Sequence, residues 1–448
     1  MKKITILEPL LNTYKNKLFF KSKEPNISTY RFLNHIKKSN KFDVDFFDFK
    51  VDKTDKKTIE NKIKKTDYLF INVKSFNVKI SSKLIKKAIE RKDIKVFLYG
   101  QFPEARPQYF IEKFQKNENV HIIKGEIYNF KINFLKNKEK IITLKTDKRS
   151  MDEIPKIDFS EMKKRDYYTV YPLKKIKKYR WGFMNLTEGC KYNCIFCSKT
   201  LRITNRNQLR HYTVKEAIKR VKLCLDKGYN AIRFLDDDFL INKSFIKEFC
   251  KEIIKQEIKF HWMAQIRGDS LNREVLKLMK KSGCEAVNLG IESASNKLLK
   301  TLKKGVTIER LKESIKICKD EDILIIAYFM LNIPGETRQD IKESIKLSHE
   351  IRPEILQIAF FTPYEGSSFY KKNKEKIEIN SDGFHYSNPS IKLSDVSKKE
   401  LNKIYRKWYL SYYLKHPLKI LRVVLNTFLF HPLRIKNTIQ SIIINLLK

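Results

Sequence analysis

Three cysteines fall within eight residues, in the run Cys190-Lys-Tyr-Asn-Cys194-Ile-Phe-Cys197. Thiolates are the ligands that iron–sulfur clusters use. Three of them on one short loop can hold three corners of a cubane and leave one iron without a protein ligand, much as catalytic zinc sites keep one position open. The alternative is a structural zinc site. It needs a fourth ligand, which only a distant cysteine or His211 supplies, and C-x3-C-x2-C is not a usual zinc spacing. The chain has seven cysteines and none before Cys190, so it is not a secreted disulfide scaffold. Cys224, Cys250, Cys284 and Cys318 stand singly in helix-like segments and read as buried small hydrophobes.

The elements that must position this loop follow from periodicity. Apolar runs at 3–9, 43–49, 67–73, 94–100 and 120–126 alternate with helical patterns. That rhythm predicts an α/β unit over 1–128, a doubly wound parallel sheet that binds ligands at the carboxyl ends of its strands. Neither G-x-G-x-x-G nor G-x-x-x-x-G-K-[ST] follows the first strand, which excludes the usual dinucleotide and P-loop readings. Residues 129–178 read as a charged, hairpin-like stretch and a linker. A second alternation covers 179–370, with strands at 179–187, 230–238, 259–267, 285–293, 323–331 and 355–364. Six βα-type units predict a partial (β/α)6 barrel with its site at the strand carboxyl ends. Thr213 with Glu216 has capping-box spacing, and Gly228 and Gly283 are placed to stop helices. The cysteine loop follows the first barrel strand. Residues 371–448 form a basic helical region.

Lys plus Arg number 94 against 51 Asp plus Glu, a formal charge of +43. Lysines are spread over every helix face, so we read the excess as compositional bias and not as a nucleic-acid footprint. No run of eighteen uncharged apolar residues occurs, and the N-terminus turns polar too early for a signal peptide, which places the chain in the cytoplasm.

Thr187-Glu-Gly-Cys190 with Cys194 and Cys197 resembles the signature of the radical S-adenosylmethionine (SAM) superfamily. Further motifs resemble those of its cobalamin-binding-domain subfamily, which includes anaerobic cyclases, methyltransferases and hopanoid-pathway enzymes. Asp236-Asp237-Asp238-Phe239 ends the second barrel strand, Arg267 the third and Gly290-Ile-Glu292-Ser293 the fourth. Pro334-Gly-Glu-Thr337 follows the fifth, and Thr362-Pro-Tyr364 with Gly366-Ser367 follows the sixth. The resemblance implies a [4Fe-4S] cluster on Cys190, Cys194 and Cys197 that cleaves SAM to a 5′-deoxyadenosyl radical, with an electron from a donor such as flavodoxin or ferredoxin. It implies SAM contacts from Phe196, Asp237, Arg267, Glu292 and Ser293. Arg267 suits the methionyl carboxylate, Glu292 suits ribose hydroxyls or the methionyl amine, and Phe196 covers adenine or packs on the barrel. Residues 1–128 resemble the subfamily's cobalamin-binding domain, with Gly100 in its glycine-rich turn and Gly125-Glu126 at its last strand end. D-x-H-x-x-G, which supplies a lower-axial histidine to cobalt, is absent, and Lys74 and Gln101 replace small residues usual there.

The expected function is a cobalamin-dependent radical SAM enzyme, a methyltransferase on a small-molecule or lipid-like precursor. The alternatives are a cyclase or oxidoreductase without methyl transfer, and a non-catalytic iron–sulfur protein. Transfer-RNA methylthiotransferases need three further cysteines in the N-terminal domain, and none is present. Residues 401–448 carry nine Lys or Arg and no acid. This tail reads as a packing hairpin, a membrane-surface helix or a nucleic-acid arm, and its apolar faces suit the first two.

Overall fold

A computed structural model describes residues 1–10, 22–52, 55–145, 149–171, 173–175, 177–198, 209–377, 389 and 391–430. Two six-stranded sheets organise them. In the first, β1 (Lys2–Glu8), β2 (Phe42–Asp48), β3 (Tyr68–Asn72), β4 (Lys95–Tyr99), β5 (Val120–Lys124) and β6 (Ile141–Thr143) lie in the order β2-β1-β3-β4-β5-β6, all parallel. β1 lies between β2 and β3, which makes the seam between β1 and β3 the topological switch point, the place where doubly wound sheets bind ligands. The strands are apolar on both faces because helices cover both. On one side Leu7, Leu69, Ile71, Val96 and Leu98 pack on the helices Lys56–Lys64, Val78–Ala88 and Pro107–Lys113. On the other, Ile4, Ile6, Phe70 and Phe97 meet Tyr30, Phe32 and Leu33 of the helix Ile27–Lys37.

The 129–178 stretch departs from its reading. The hairpin is absent: two 3-10 turns, Ile127–Asn129 and Ile132–Lys136, carry the chain across so that β6 joins β5 in parallel. The first sheet therefore runs past residue 128. Beyond it, Met151, Ile154, Met162 and Leu173 are buried in an apolar core continuous with both sheets.

In the second sheet, β7 (Trp181–Met184), β10 (Ala231–Phe234), β11 (His261–Arg267), β12 (Cys284–Glu292), β13 (Leu324–Leu331) and β14 (Ile355–Phe360) are parallel neighbours in sequence order, as a partial barrel requires. A short ribbon, β8 (Thr187–Glu188) with β9 (Arg210–His211), follows β7. Thr213 Oγ1 accepts from the Glu216 amide and starts the helix Val214–Asp226, and Gly228 and Gly283, with φ of 84° and 102°, end helices as expected. Cys224, Cys250 and Cys318 are buried on helices, whereas Cys284, equally buried, opens β12.

The helix Lys398–Lys415 packs beside β14, the sheet's edge strand. Two outward amides of that edge find side-chain acceptors: Ile358 N–H donates to Tyr409 Oη (2.8 Å) and Leu356 N–H to Tyr413 Oη (3.3 Å). The second half of the basic tail, with Ile435, Ile439, Ile442, Ile443 and Leu446, lies outside the described residues. Among the described residues no helix is long and apolar enough to cross a membrane. Because a buried amide left without an acceptor costs about 1–3 kcal/mol, Tyr409→Phe is expected to lower the unfolding free energy by that amount, read as a lower urea midpoint at unchanged m-value. Tyr413→Phe, which loses the longer bond, is expected to cost less.

Candidate active site

The cysteine loop leaves the carboxyl end of β7. Its root is fixed by Asp236, at the end of β10, whose carboxylate accepts from Leu186 N (3.1 Å), Thr187 N (2.6 Å) and Thr187 Oγ1 (2.7 Å). Burial pushes Asp236 up to about 7 against these hydrogen bonds. Asp238 is likewise spent on the scaffold, accepting from the backbone of Arg267 and Leu240. Of the three aspartates only Asp237 is partly exposed, and its charge acts on Cys190.

Glu188, two residues before the first cysteine, ties the loop to the first unit. It receives an ion pair from Arg31 of the helix Ile27–Lys37, a hydrogen bond from Tyr128 Oη (3.2 Å) and a contact from Arg210 (2.5 Å). Arg31 is fully buried and also donates to Asn185 Oδ1 (3.1 Å) and Tyr212 Oη (3.3 Å).

Cys194 is buried, and Cys190 and Cys197 are partly exposed. Burial pushes the Cys190 thiol up to about 11, with Asp237 and Asp238 adding to the effect. Among the described residues no three His, Cys, Asp or Glu side chains converge on a single metal ion. His211, the nearest candidate for a fourth zinc ligand in sequence, directs Nδ1 to the Tyr212 carbonyl and stacks on Phe245. Arg267 reaches the loop from β11: its Nη1 donates to Cys194 Sγ (3.5 Å), and its guanidinium lies over the Tyr192 ring at 3.5 Å. Asp269 holds the same guanidinium through Nε (3.0 Å) and Nη2 (3.3 Å), and Nη2 also donates to the Lys304 carbonyl.

Glu292, at the end of β12, has a left-handed backbone (φ 66°) and a buried ion pair with Lys304 Nζ (2.6 Å). A non-glycine residue at such φ is held there by its surroundings. Gly290 is needed for this pair, since a Cβ there would stand 2.7 Å from Glu292 Oε1 and 2.8 Å from Lys304 Nζ. Ser293 is buried, and its hydroxyl accepts from Ser295 N. Phe196 packs at the rim of an apolar cluster built from Leu298, Leu302, Met330, Ile333 and Phe361. Arg267, Glu292 and the cysteines thus share one end of the barrel. Lys304 and Asp269 were not foreseen; Arg267-x-Asp269 is a readable ion-pair spacing, but Lys304 follows β12 by twelve residues and carries no local signal.

In the first unit, Gly100 has φ 101° and its missing Cβ would lie 2.2 Å from Asn72 Oδ1, so packing of the chain on itself demands glycine there. Gly125, also at φ 101°, backs on Leu144, and Glu126 is partly buried beside Tyr128. The switch point holds Glu8, buried, accepting from Thr29 and from Asn72 Nδ2 (2.8 Å), with Lys74 at 4.0 Å. The loop after β14 meets these strand ends: Ser75 donates to Glu365, and Gln101 Nε2 to the Glu365 carbonyl (3.3 Å). Asn72 Oδ1 and Glu365 Oε1 are buried at this seam without partners.

Residues 184–348 match the Radical SAM superfamily. The chain carries a radical SAM domain. An uncharacterized methyltransferase of Pyrococcus horikoshii is 29% identical over 282 residues, 62% of this chain and 60% of that protein. The anaerobic magnesium-protoporphyrin IX monomethyl ester cyclase of Cereibacter sphaeroides is 25% identical over 53% of this chain and 40% of its own length. The chain therefore spans about half the length of these curated relatives. In fold, the first unit and the radical SAM domain together match the methyltransferase TsrM of Kitasatospora setae, solved with cobalamin and a [4Fe-4S] cluster (TM-score 0.59, 14% identity, 84% of this chain and 78% of that one). They also match the cobalamin-dependent enzyme OxsB, solved with aqua-cobalamin and SAM (TM-score 0.62, 16% identity, 96% and 72%).

Within the Pro334–Thr337 turn, Glu336 is wholly buried. Its Oε2 accepts from Asn332 N (2.6 Å) and Ile333 N (3.3 Å), and burial pushes it up to about 8. A carboxyl whose folded pKa exceeds its unfolded value of about 4.3 stabilises the fold fully below the unfolded value and loses that contribution as pH rises through the folded one. The melting temperature of the wild type is therefore expected to fall between pH 5 and pH 9 by more than that of Glu336→Gln. Parallel melting curves in one buffer series measure the difference.

Proposed function

We propose that this chain is a radical SAM enzyme whose barrel holds a [4Fe-4S] cluster on Cys190, Cys194 and Cys197 and whose first unit holds cobalamin, and that it transfers a methyl group to a small molecule. The observation that carries the reading is the meeting, at the carboxyl end of a six-stranded parallel barrel, of a three-thiol loop with an arginine that donates to the middle thiol. The donor set fits a cluster with one open iron: three thiols on one short loop, Cys194 buried and Cys190 and Cys197 partly exposed. The seam fits the amide-rimmed corrin, because amide N–H groups would satisfy Asn72 Oδ1 and Glu365 Oε1. When bound, the cluster supplies the electron that cleaves SAM to a 5′-deoxyadenosyl radical, and cobalamin carries the methyl group.

The chain's own residues hold and shape the site. Arg267, clamped by Asp269, sets a positive hydrogen-bond donor against Cys194, the kind of contact that tunes a cluster's potential. Its remaining N–H capacity faces the loop, where the methionyl carboxylate is to be held. Glu292 and Lys304 place a paired carboxylate and ammonium for the ribose and the methionyl end. Phe196 closes the apolar side. Gly100, Gly125 and Glu126 would line the strand ends for cobalamin, and among the described residues no histidine stands at those ends. The histidine in β5, His121, is at the opposite end of its strand, bonded to the Glu139 carbonyl and stacked on Phe97.

Anoxic reconstitution followed by iron and corrinoid analysis and deoxyadenosine assay tests the reading. Cys190→Ala, Cys194→Ala and Cys197→Ala are each expected to lose most of the cluster absorbance and all deoxyadenosine, and Cys224→Ala and Cys318→Ala to lose only packing stability. Wild-type SAM cleavage by Cys194→Ala would sink the cluster assignment. Corrinoid retained well below one per chain, with deoxyadenosine still formed, would favour radical chemistry without methyl transfer.

The tail supports a further contact, with an anionic membrane surface. Leu414, Leu418, Leu421 and Leu425 are 71%, 76%, 46% and 37% exposed, and recur at helical spacing about the break at His416. Lys419 and Arg422, on another face, hold the helix Pro417–Phe430 to Glu354. An exposed apolar stripe within a basic segment suits reversible binding at anionic lipid. Truncation at His416 is expected to abolish partitioning to phosphatidylserine vesicles, and added salt to weaken it in the full chain. Unchanged partitioning after truncation would leave the tail a packing element.

A further inference from the structure

The inside of the barrel is polar in large part, with Met263, Ala286, Ile326 and Ile355 interspersed on the same face. Packed (β/α) barrels fill this space with layers of branched aliphatic side chains. Here the inward positions include Arg233 on β10, Gln265 on β11, Asn288 on β12, Tyr328 on β13 and Gln357 on β14. Strand alternation sets their direction. The intervening residues pack outward on helices: Phe234 against Phe249, Trp262 through Nε1 on the Ser282 carbonyl, Phe329 against Trp408 and Phe360 against Tyr405. Arg267, on the same face of β11 as Gln265, touches Cys194, so that face is the inside.

Part of this lining is already satisfied. Arg233 pairs with Glu24 (2.6 Å), donates to Asn288 Oδ1 (3.3 Å) and lies over the Tyr171 ring. Asn288 Nδ2 donates to Tyr328 Oη (2.9 Å), which shares a 2.6 Å hydrogen bond with Tyr171 Oη. These groups form a hydrogen-bonded floor. Two amides beside it, Gln265 opposite Asn288 and Gln357 opposite Tyr328, are not accounted for. Gln265 is exposed although it stands in a central strand with a neighbour on each side, which means the space it faces is open. Gln357 is 7% exposed, and its Nε2 is buried with no acceptor. By register Gln357 lies opposite Tyr328, Tyr328 opposite Gly290, and Gly290 opposite Arg267, so the unpartnered donor shares a row with the β11 arginine that touches Cys194. A buried donor without a partner, on the same inward face as the exposed Gln265, calls for a ligand acceptor. The charges around the space are paired: Arg233 with Glu24, Lys304 with Glu292, Arg267 with Asp269.

We propose that Gln265 and Gln357, beside the hydrogen-bonded group of Arg233, Asn288 and Tyr328, select the substrate. The site then takes a neutral or zwitterionic small molecule rich in hydrogen-bond donors and acceptors, of amide, amino-acid or nucleobase type, and rejects a hydrocarbon chain. This rests on the radical SAM reading for what happens to the molecule, but not for its binding. It replaces the lipid-like precursor by a polar one, because buried amides left facing an alkyl chain would lose their partners.

The experiment uses the full chain with its cofactors and two probe sets, free L-amino acids and nucleobases on one hand and medium-chain n-alcohols on the other, read by thermal shift and equilibrium dialysis. At least one polar probe is expected to raise the melting midpoint of the wild type. Gln265→Leu and Gln357→Met are each expected to bind that probe roughly tenfold more weakly or worse. Midpoints without probe report folding. Gln265 is exposed, so Gln265→Leu decides the matter alone should Gln357→Met unfold. Binding of the alcohols only, binding of no polar probe, or equal polar-probe binding by the wild type and Gln265→Leu overturns the proposal. Deoxyadenosine formation by the wild type is scored separately. Its absence beside the expected binding pattern would sink the radical reading and leave the pocket assignment standing.

Discussion

The buried ion pair of Arg31 with Glu188 joins the two halves of the molecule at the root of the cysteine loop. Arg31 comes from the first helix, Glu188 from the root of the cysteine loop, and the guanidinium has no exposed surface. Taking the guanidinium out of water is costly, and removing Glu188 would strand it, a loss of about 3–5 kcal/mol, whereas Glu188 is 21% exposed and also pairs with Arg210. The surroundings offset part of that cost: Arg31 also donates to Asn185 and Tyr212, Tyr128 and Arg210 donate to Glu188, and Glu188 holds Arg31 charged despite its burial, although Arg31 Nε is left buried without a hydrogen-bond partner. The pair therefore acts as a register pin. The first sheet cannot shift against the barrel without moving the segment that carries the three thiols.

The end of the barrel repeats this logic at shorter range. Asp236 ties β10 to the exit of β7, Asp238 ties β10 to the Arg267 backbone, and Asp269 fixes the Arg267 side chain. Each carboxylate is spent on positioning a neighbour, so the thiol loop rests on rigid strands although it has little regular structure of its own. Glu292 adds local strain through its left-handed backbone and is kept there by Lys304 and the space Gly290 leaves. Rigid support of a short loop is what a multi-iron site needs, since its corners must be held apart at fixed separations.

Much of this was legible in the sequence, and the reason is periodicity. Continuous apolar strands alternating with amphipathic helices leave few alternatives to two parallel sheets, and C-x3-C-x2-C marks its own chemistry. The hairpin expected after residue 129 failed because a three-residue strand at Ile141–Thr143 carries the same signal in parallel as in antiparallel pairing. The linker proved to be core because its apolar residues, such as Met151 and Leu173, lack any period that would announce an element. Lys304 and Arg31 could not be found from spacing, since their partners lie twelve and 157 residues away. The polar barrel interior was written in the strands as Arg233, Asn288, Tyr328 and Gln357, but only the pairing register shows that they face one another.

A barrel of six strands does not close, and its last strand, β14, is left with an unsatisfied rim. Such a rim is a template on which another chain can lay a strand. Here two tyrosine hydroxyls from the helix Lys398–Lys415 occupy its amides, and Trp408 and Tyr412 bury the helix beside it. A side chain thus does what a seventh strand would do, without adding a further edge in its turn. The helix is in this sense a stopper, and the phenols of Tyr409 and Tyr413 deny that edge to a further strand.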